Sequence, residues 1–218
     1  MKTWVTADTH FGHVNMTEEG KDLCKRGFKT VDEMNKALLE GINSTVSSKE
    51  RLVILGDVVM GKLEANIHIL SGIRAAEVVF VPGNHDRWSP AYHHKGADAD
   101  AKREEWRLRF AAAHHNAVAL PGTDDSEPVR SWDWCQLSDE WQGHPLDNAV
   151  FSHFPYEGDH TSDDRYVELR PEDFGGPVIH GHVHDSWRIR GRQFNVGVDV
   201  NDFKPVSEEE LADWVRSL

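Results

Sequence analysis

The 218-residue chain has only two cysteines, Cys24 and Cys135, too few for a disulfide framework and too widely spaced for a CxxC metal or redox motif. A reducing compartment suits such a chain. No stretch approaches the roughly 20 consecutive apolar residues needed to span a bilayer, and the start lacks the basic region and apolar run of a secretory leader. A soluble, cytoplasmic protein without a membrane partner is expected. Positive charge is also scarce: 24 Lys and Arg against 37 Asp and Glu give a formal net charge of −13. That balance repels polyanions at long range and argues against an extended nucleic-acid surface, where a basic face is the expected footprint. Small anions stay admissible, because screening over about 8 Å lets one local positive centre govern a cleft. Internal repeats, low-complexity tracts and long linkers are absent too, so residues 1–218 read as one domain.

Histidine, by contrast, is plentiful, with 14 residues that fall partly in clusters. Surface positions explain some of them; clusters point to metal. The frame for those clusters is a set of β-branched runs cut off by glycine or polar residues, at 4–7, 52–55, 78–81, 149–152 and 178–179. Between the first three lie helical stripes: Val31, Met34, Leu38 and Ile42 after a capping box of Thr30 and Glu33, then Leu63, Ile67 and Leu70. Strand, helix, strand, helix, strand predicts a parallel α/β start. Residues 98–114 read as a charged amphipathic helix, 121–143 as loop with one short strand at 132–137, and 186–190 with 193–198 as a hairpin across Gly191-Arg192. A last helix starts at Ser207, with Glu210 completing a second capping box.

The polar clusters all follow predicted strands, the edge where open α/β sheets bind ligands. They are Asp8 and His10, Asp57, Asn84 and His85, His153, and His182 and His184. Oxygen and imidazole donors without thiolate suit Mn²⁺, Fe, Zn²⁺ or Ni²⁺. In extended backbone, residues i and i+2 share a face, so Asp8 with His10 and His182 with His184 can each turn two donors to one cavity. Gly56, Gly83 and Gly181 precede the donor segments, where a missing Cβ permits sharp turns and close approach. A carboxylate such as Asp57 can bridge two cations. Two ions held about 3.5–4 Å apart would activate a bridging hydroxide and neutralise a phosphoryl oxygen.

The five segments Asp8-Thr9-His10, Gly56-Asp57, Gly83-Asn84-His85-Asp86, His153 and Gly181-His182-Val183-His184 resemble, in order, the motifs of the calcineurin-like metallophosphoesterases. The opening TADTHFGHVN is similar to that of a branch of short bacterial and phage phosphoesterases. The resemblance implies a four-layer αββα sandwich, an α/β fold of two sheets flanked by helices. It further implies two divalent ions, Mn²⁺ foremost: Asp8, His10, Asp57 and His184 would hold the first, and Asp57, Asn84, His153 and His182 the second. His85 would be the general acid for the leaving oxygen, oriented by Asp86. The implied activity is phosphoester hydrolysis, with a diester of a small nucleotide or nucleic-acid end preferred over monoester or protein-phosphatase chemistry. A non-catalytic scaffold is the remaining alternative, disfavoured because every ligand position is filled.

Other residues have two readings each. His13 either reaches the substrate phosphate or holds its loop together. Arg165, Arg87 and His160 lie on loops leaving motif segments, where an arginine could pair with phosphate or with a surface carboxylate. Trp88, Trp132 and Trp134 are base-stacking candidates, while Trp4, Trp187 and Trp214 fit core patterns. His180 should point away from the metals, and His68, His93, His94, His114 and His115 are read as structural or solvent-facing. Oligomeric state is not written in these motifs.

Overall fold

The computed structural model describes residues 1–120 and 143–218. The expected strand at 132–137, Trp132 and Trp134 lie outside the described residues. The first sheet contains β1 (Thr3–Thr6), β2 (Arg51–Leu55), β3 (Glu77–Val81), β4 (Ala117–Ala119) and β9 (Val206–Ser207). Its order is β4-β3-β2-β1-β9. The first four strands run parallel, with Val5 opposite Val53 and Val53 opposite Val79, and β9 closes the edge antiparallel to β1.

Alternation along these strands assigns each face. Leu52, Ile54, Val78 and Phe80 join one buried cluster with Met34, Leu38, Ile42, Leu70, Trp106 and Phe110. Those partners come from α1 (Val31–Thr45), the short turn of 3₁₀ helix at Ile67–Gly72 that continues α2 (Leu63–Asn66), and α3 (Ala99–Ala112). Val53, Leu55, Val79 and Val81 face the other way and meet Phe151, Ile179 and Phe194 of the second sheet. That sheet holds β5 (Val150–Phe151), β6 (Val178–His180), β7 (Ile189–Arg190) and β8 (Gln193–Asn195), in the order β5-β6-β8-β7. Helix α4 (Glu208–Arg216) adds Leu211, Ala212 and Trp214 to this inner cluster. The result is an α/β sandwich of two mixed sheets flanked by helices.

Local chemistry accounts for the boundaries. Thr30 caps α1 by accepting from Glu33 N–H, and Ser207 caps α4 by accepting from Glu210 N–H; each such cap is worth about 1 kcal/mol. The hairpin forms as expected, β7 antiparallel to β8, with Gly191 in the left-handed region at φ 58°. The stripe after Leu63 keeps its apolar face but winds as α-helix for only four residues before tightening to 3₁₀. Among the described residues, no helix is long and apolar enough to cross a membrane.

Candidate metal centre

Each ligand segment begins within three residues of a strand end. β1 stops at Thr6 before Asp8, β2 at Leu55 before Asp57, β3 at Val81 before Asn84, β5 at Phe151 before His153, and β6 at His180 before His182. The donor pairs do share one cavity, although strand pleat is not the reason. Asp8, His10, Asp57, His182 and His184 have φ of 56°, 49°, 53°, 71° and 49°. Left-handed backbone at a non-glycine residue costs of order 1–3 kcal/mol and persists where surroundings over-determine it, typically at functional sites. Here the surroundings are tight. A Cβ on Gly83 would lie 2.3 Å from Asp57 Oδ1, and one on Gly181 would lie 2.5 Å from Asp8 Oδ2. Only glycine allows the loops to close to that distance.

Donor atoms of Asp8, His10 and His184 gather at one point, and those of Asp8, Asp57 and His153 at an adjoining one. Asp57 Oδ2 stands between them, 3.6 Å from His10 Nε2 and 3.7 Å from His153 Nε2. Asn84 Oδ1 completes the second position, 2.9 Å from His153 Nε2 and 3.0 Å from His182 Nδ1. All seven expected ligands are therefore brought together, all buried.

The arrangement fits a cation better than a hydrogen-bonded core. Asp8 Oδ1 and both ring nitrogens of His10 are buried without a hydrogen-bond partner, an arrangement that ordinarily costs about 1–3 kcal/mol per group. The distal nitrogens of three other histidines face acceptors. His153 Nδ1 lies 2.9 Å from Leu55 O, His182 Nε2 3.1 Å from Asp159 Oδ2, and His184 Nδ1 2.9 Å from Asp199 Oδ2. Each acceptor can receive the distal N–H, which in the neutral ring leaves the proximal nitrogen a lone pair, as is usual behind a metal-ligating imidazole. Around Asn84 Oδ1 this puts the lone pairs of His153 Nε2 and His182 Nδ1 against a carbonyl oxygen, three acceptors with no donor among them. A divalent ion satisfies all three.

Electrostatics follow from burial and neighbours. Burial raises the Asp8 carboxyl above its usual range. For Asp57 burial acts in the same direction, but His153 and His85 outweigh it and hold the carboxyl low. Burial pushes the His182 imidazole down to about 3, with His153 adding to the effect. His184 also resists charging through burial, yet hydrogen bonds to Asp199 and Cys24 and the field of Asp8 raise it well above the usual value.

Several groups in this centre have no sequence spacing that announces them. Arg26, fully buried at its side chain, bonds Asp199 at 2.7 Å and donates to Asp8 O at 2.7 Å and Thr9 O at 3.0 Å. It thereby fixes both His184's partner and the first ligand loop. Asp159 does the corresponding work behind His182.

The remaining expected residues are placed as follows. His85 N donates to Asp57 Oδ1 at 2.8 Å, while its ring stays outside the ligand groups, 45% exposed, with Nε2 3.9 Å from Asp57 Oδ2. Asp86 does not act on the His85 ring: its carboxylate accepts from Asp57 N, Gly83 N and Val58 N at 2.7, 2.8 and 3.1 Å, pinning two ligand loops together. The His13 ring lies 5.4 Å from that of His10, with Nδ1 buried and unpartnered. Burial, followed by the nearby His85, lowers His13 to about 4. Arg165 pairs with Asp159 at 2.9 Å and stays 40% exposed at the rim. Arg87 instead lies 4.7 Å from the Trp106 ring, away from the ligands. Trp88 is no stacking platform: it is buried against Phe110, with Nε1 bonded to Leu120 O. His180 is buried, 4.7 Å from Trp187, in a packing position.

Carboxylate, imidazole and amide oxygen poised for two adjoining cations at one edge of an α/β sandwich define a metal-dependent hydrolase. The chain belongs to the calcineurin-like phosphoesterases, whose family model matches residues 1–186. It is 31% identical over 222 residues to the Gene 66 protein of Mycobacterium phage L5, covering 99% of this chain and 95% of that protein. The Gene 66 protein of Mycobacterium phage D29 is 29% identical over 94% of this chain and 92% of its own length. A protein of unknown function from Aquifex aeolicus superposes with a TM-score of 0.57 at 20% identity, over 98% of each chain. That last likeness speaks for the fold alone. Family membership and the ligand cluster together make this chain a metal-dependent phosphoric ester hydrolase.

Proposed function

We propose that the chain is a phosphodiesterase acting on a small nucleotide or a nucleic-acid end with two Mn²⁺ ions. The observation that carries the two-ion part is the gathering of buried donors at two adjoining points, with Asp57 Oδ2 between His10 and His153 and with Asp8 Oδ1 and both His10 nitrogens unpartnered. Asp8, His10, Asp57 and His184 would hold one ion, and Asp57, Asn84, His153 and His182 the other. When bound, such a pair activates the attacking water and neutralises charge on the phosphoryl group. The net charge of −13 favours a small substrate over a long polyanion.

Around the ions, the chain's own side chains divide the work. His85 is anchored by its backbone N–H on Asp57 and leaves its ring at the mouth, where it protonates the departing oxygen. Asp86 serves His85 indirectly, by holding the loops on which it stands. The His13 ring stands beside that of His10, and Arg165 offers a half-exposed guanidinium at the rim. Both contact the phosphate oxygens. Residues 1–218 would form one domain of a cytoplasmic protein, which the scarcity of cysteine supports. The deciding assay compares bis(p-nitrophenyl) phosphate, p-nitrophenyl phosphate, cyclic nucleotides and short oligonucleotides with Mn²⁺-loaded protein. Diesters should turn over faster; faster monoester turnover would overturn the diester preference.

A further inference from the structure

Behind the second cation position lies a feature that neither ligation nor proton transfer uses. Asp159, on the loop after β5, has a side chain only 1% exposed. Its Oδ2 lies 3.1 Å from His182 Nε2, and its two oxygens take Arg165 Nη2 at 2.9 Å and Nε at 3.2 Å. Thr161 N–H adds a fourth contact at 3.0 Å. The same loop lays the Tyr166 and His160 rings 5.6 and 5.7 Å from the His182 ring. Asp159, His160 and His182 could in principle hold an ion of their own. The guanidinium seated on Asp159 argues against it and for a hydrogen-bonded relay.

We propose that Asp159 is a positioning residue that ties the rim loop to the second metal position, by accepting the hydrogen bond of His182 Nε2–H and by holding Arg165 at the mouth. The proposal rests on the two-ion reading. A neutral imidazole has one donor and one acceptor nitrogen. An ionised carboxylate accepts only, so Asp159 fixes the proton on Nε2 and leaves the lone pair on Nδ1, facing Asn84 Oδ1. Remove Asp159, and the ring gains from the opposite tautomer: Nδ1–H would then donate to Asn84 Oδ1, closing the site without an ion. Arg165 helps to keep Asp159 in place and ionised, and that ion pair is how the rim feels the metal position. The other motif histidine has a parallel device in Asp199 and Arg26, buried and sealed from substrate. Only the Asp159 pair opens to the rim.

The test is Mn²⁺ titration calorimetry with imidazole ¹⁵N NMR on full-length protein. D159A should weaken one of two Mn²⁺ sites by about 10–100-fold and spare the other, whereas D159N, whose amide oxygen still accepts from Nε2–H, should restore most of the affinity. R165Q should weaken the same Mn²⁺ site by less than D159A does, spare the other, and raise KM for a diester more than it lowers kcat. In chelator-treated wild type, His182 should carry its proton on Nε2. Unchanged affinity in D159A, equal weakening of both sites, or a wild-type Nδ1–H tautomer would each overturn the proposal. The tautomer needs no variant, so it decides even if D159A fails to fold. If wild type binds fewer than two ions while His182 is Nε2–H, the two-ion reading fails and the orienting role of Asp159 stands.

Discussion

Replacing Asp57 by Asn tests the centre at its hub. Asp57 Oδ2 approaches His10, His153 and His85 within 3.6 to 3.9 Å, and its burial leaves no water to substitute for it. Asn keeps the shape and can still accept from His85 N–H, but removes the charge that both ions would share. A ligand at 100 times its dissociation constant stabilises the folded state by about 2.7 kcal/mol per site. For a chain of this size about 1 kcal/mol moves Tm by roughly 2–4 °C, so one Mn²⁺ site should raise the wild-type Tm by about 5–11 °C over the same protein in chelator. If D57N weakens a site 100-fold, the same Mn²⁺ concentration contributes only about 0.4 kcal/mol there, a shift of about 1–2 °C. Differential scanning fluorimetry reads both values, each variant against its own chelator control. A D57N shift equal to that of wild type would refute the bridging role.

The other predictions concern the mouth and the metal-free fold. His85→Asn should retain both ions and lose about 10²–10⁴-fold in rate on alkyl or nucleoside diesters, with much smaller losses on p-nitrophenyl esters, whose leaving group needs little protonation; loss of an ion, or equal losses on both ester types, would remove the general-acid role. His13→Ala should leave Mn²⁺ content and Tm unchanged while raising KM or lowering kcat, and unchanged kinetics on every substrate would restrict His13 to its loop. His180 and His114 are held low by burial, His180 at about 3, so below about pH 6.5 the unfolded chain binds protons that the folded chain refuses. In chelator-treated protein at pH 5.5 the His180 ring should therefore still be uncharged by imidazole ¹⁵N NMR, and replacing it by Asn should reduce the loss of stability on acidification by up to about 1.4 kcal/mol per pH unit; a charged His180 ring at pH 5.5 would contradict that burial.

How much of this was readable in the chain differs from part to part. The candidate ligands were legible because each follows an apolar β-branched run, and runs such as 52–55 and 78–81, short and ended by Gly56 or Pro82, read as buried strands. Capping boxes at Thr30 and Ser207 marked their helices through purely local hydrogen bonds. The short edge strands β4 and β9 were not legible, since three and two residues carry no periodicity. Left-handed backbone at five of the candidate ligands was also hidden, because it is imposed by contacts between loops far apart in sequence. Arg26 and Asp199, 173 positions apart, meet only in the fold. Asp159 lies inside a polar loop whose composition predicts only exposure. Trp88 misled for the opposite reason: a tryptophan among polar neighbours looks exposed until Phe110 of α3 covers it.

The most direct measurement is the metal-to-protein ratio of Mn²⁺-saturated, gel-filtered chain, taken on the same sample as its rate of phosphodiester hydrolysis. A ratio near two, with activity lost in chelator and restored by Mn²⁺, is the predicted result. A ratio near one at full activity, or two bound ions with no turnover of any phosphoester, would contradict a hydrolytic centre built on two ions bridged by Asp57.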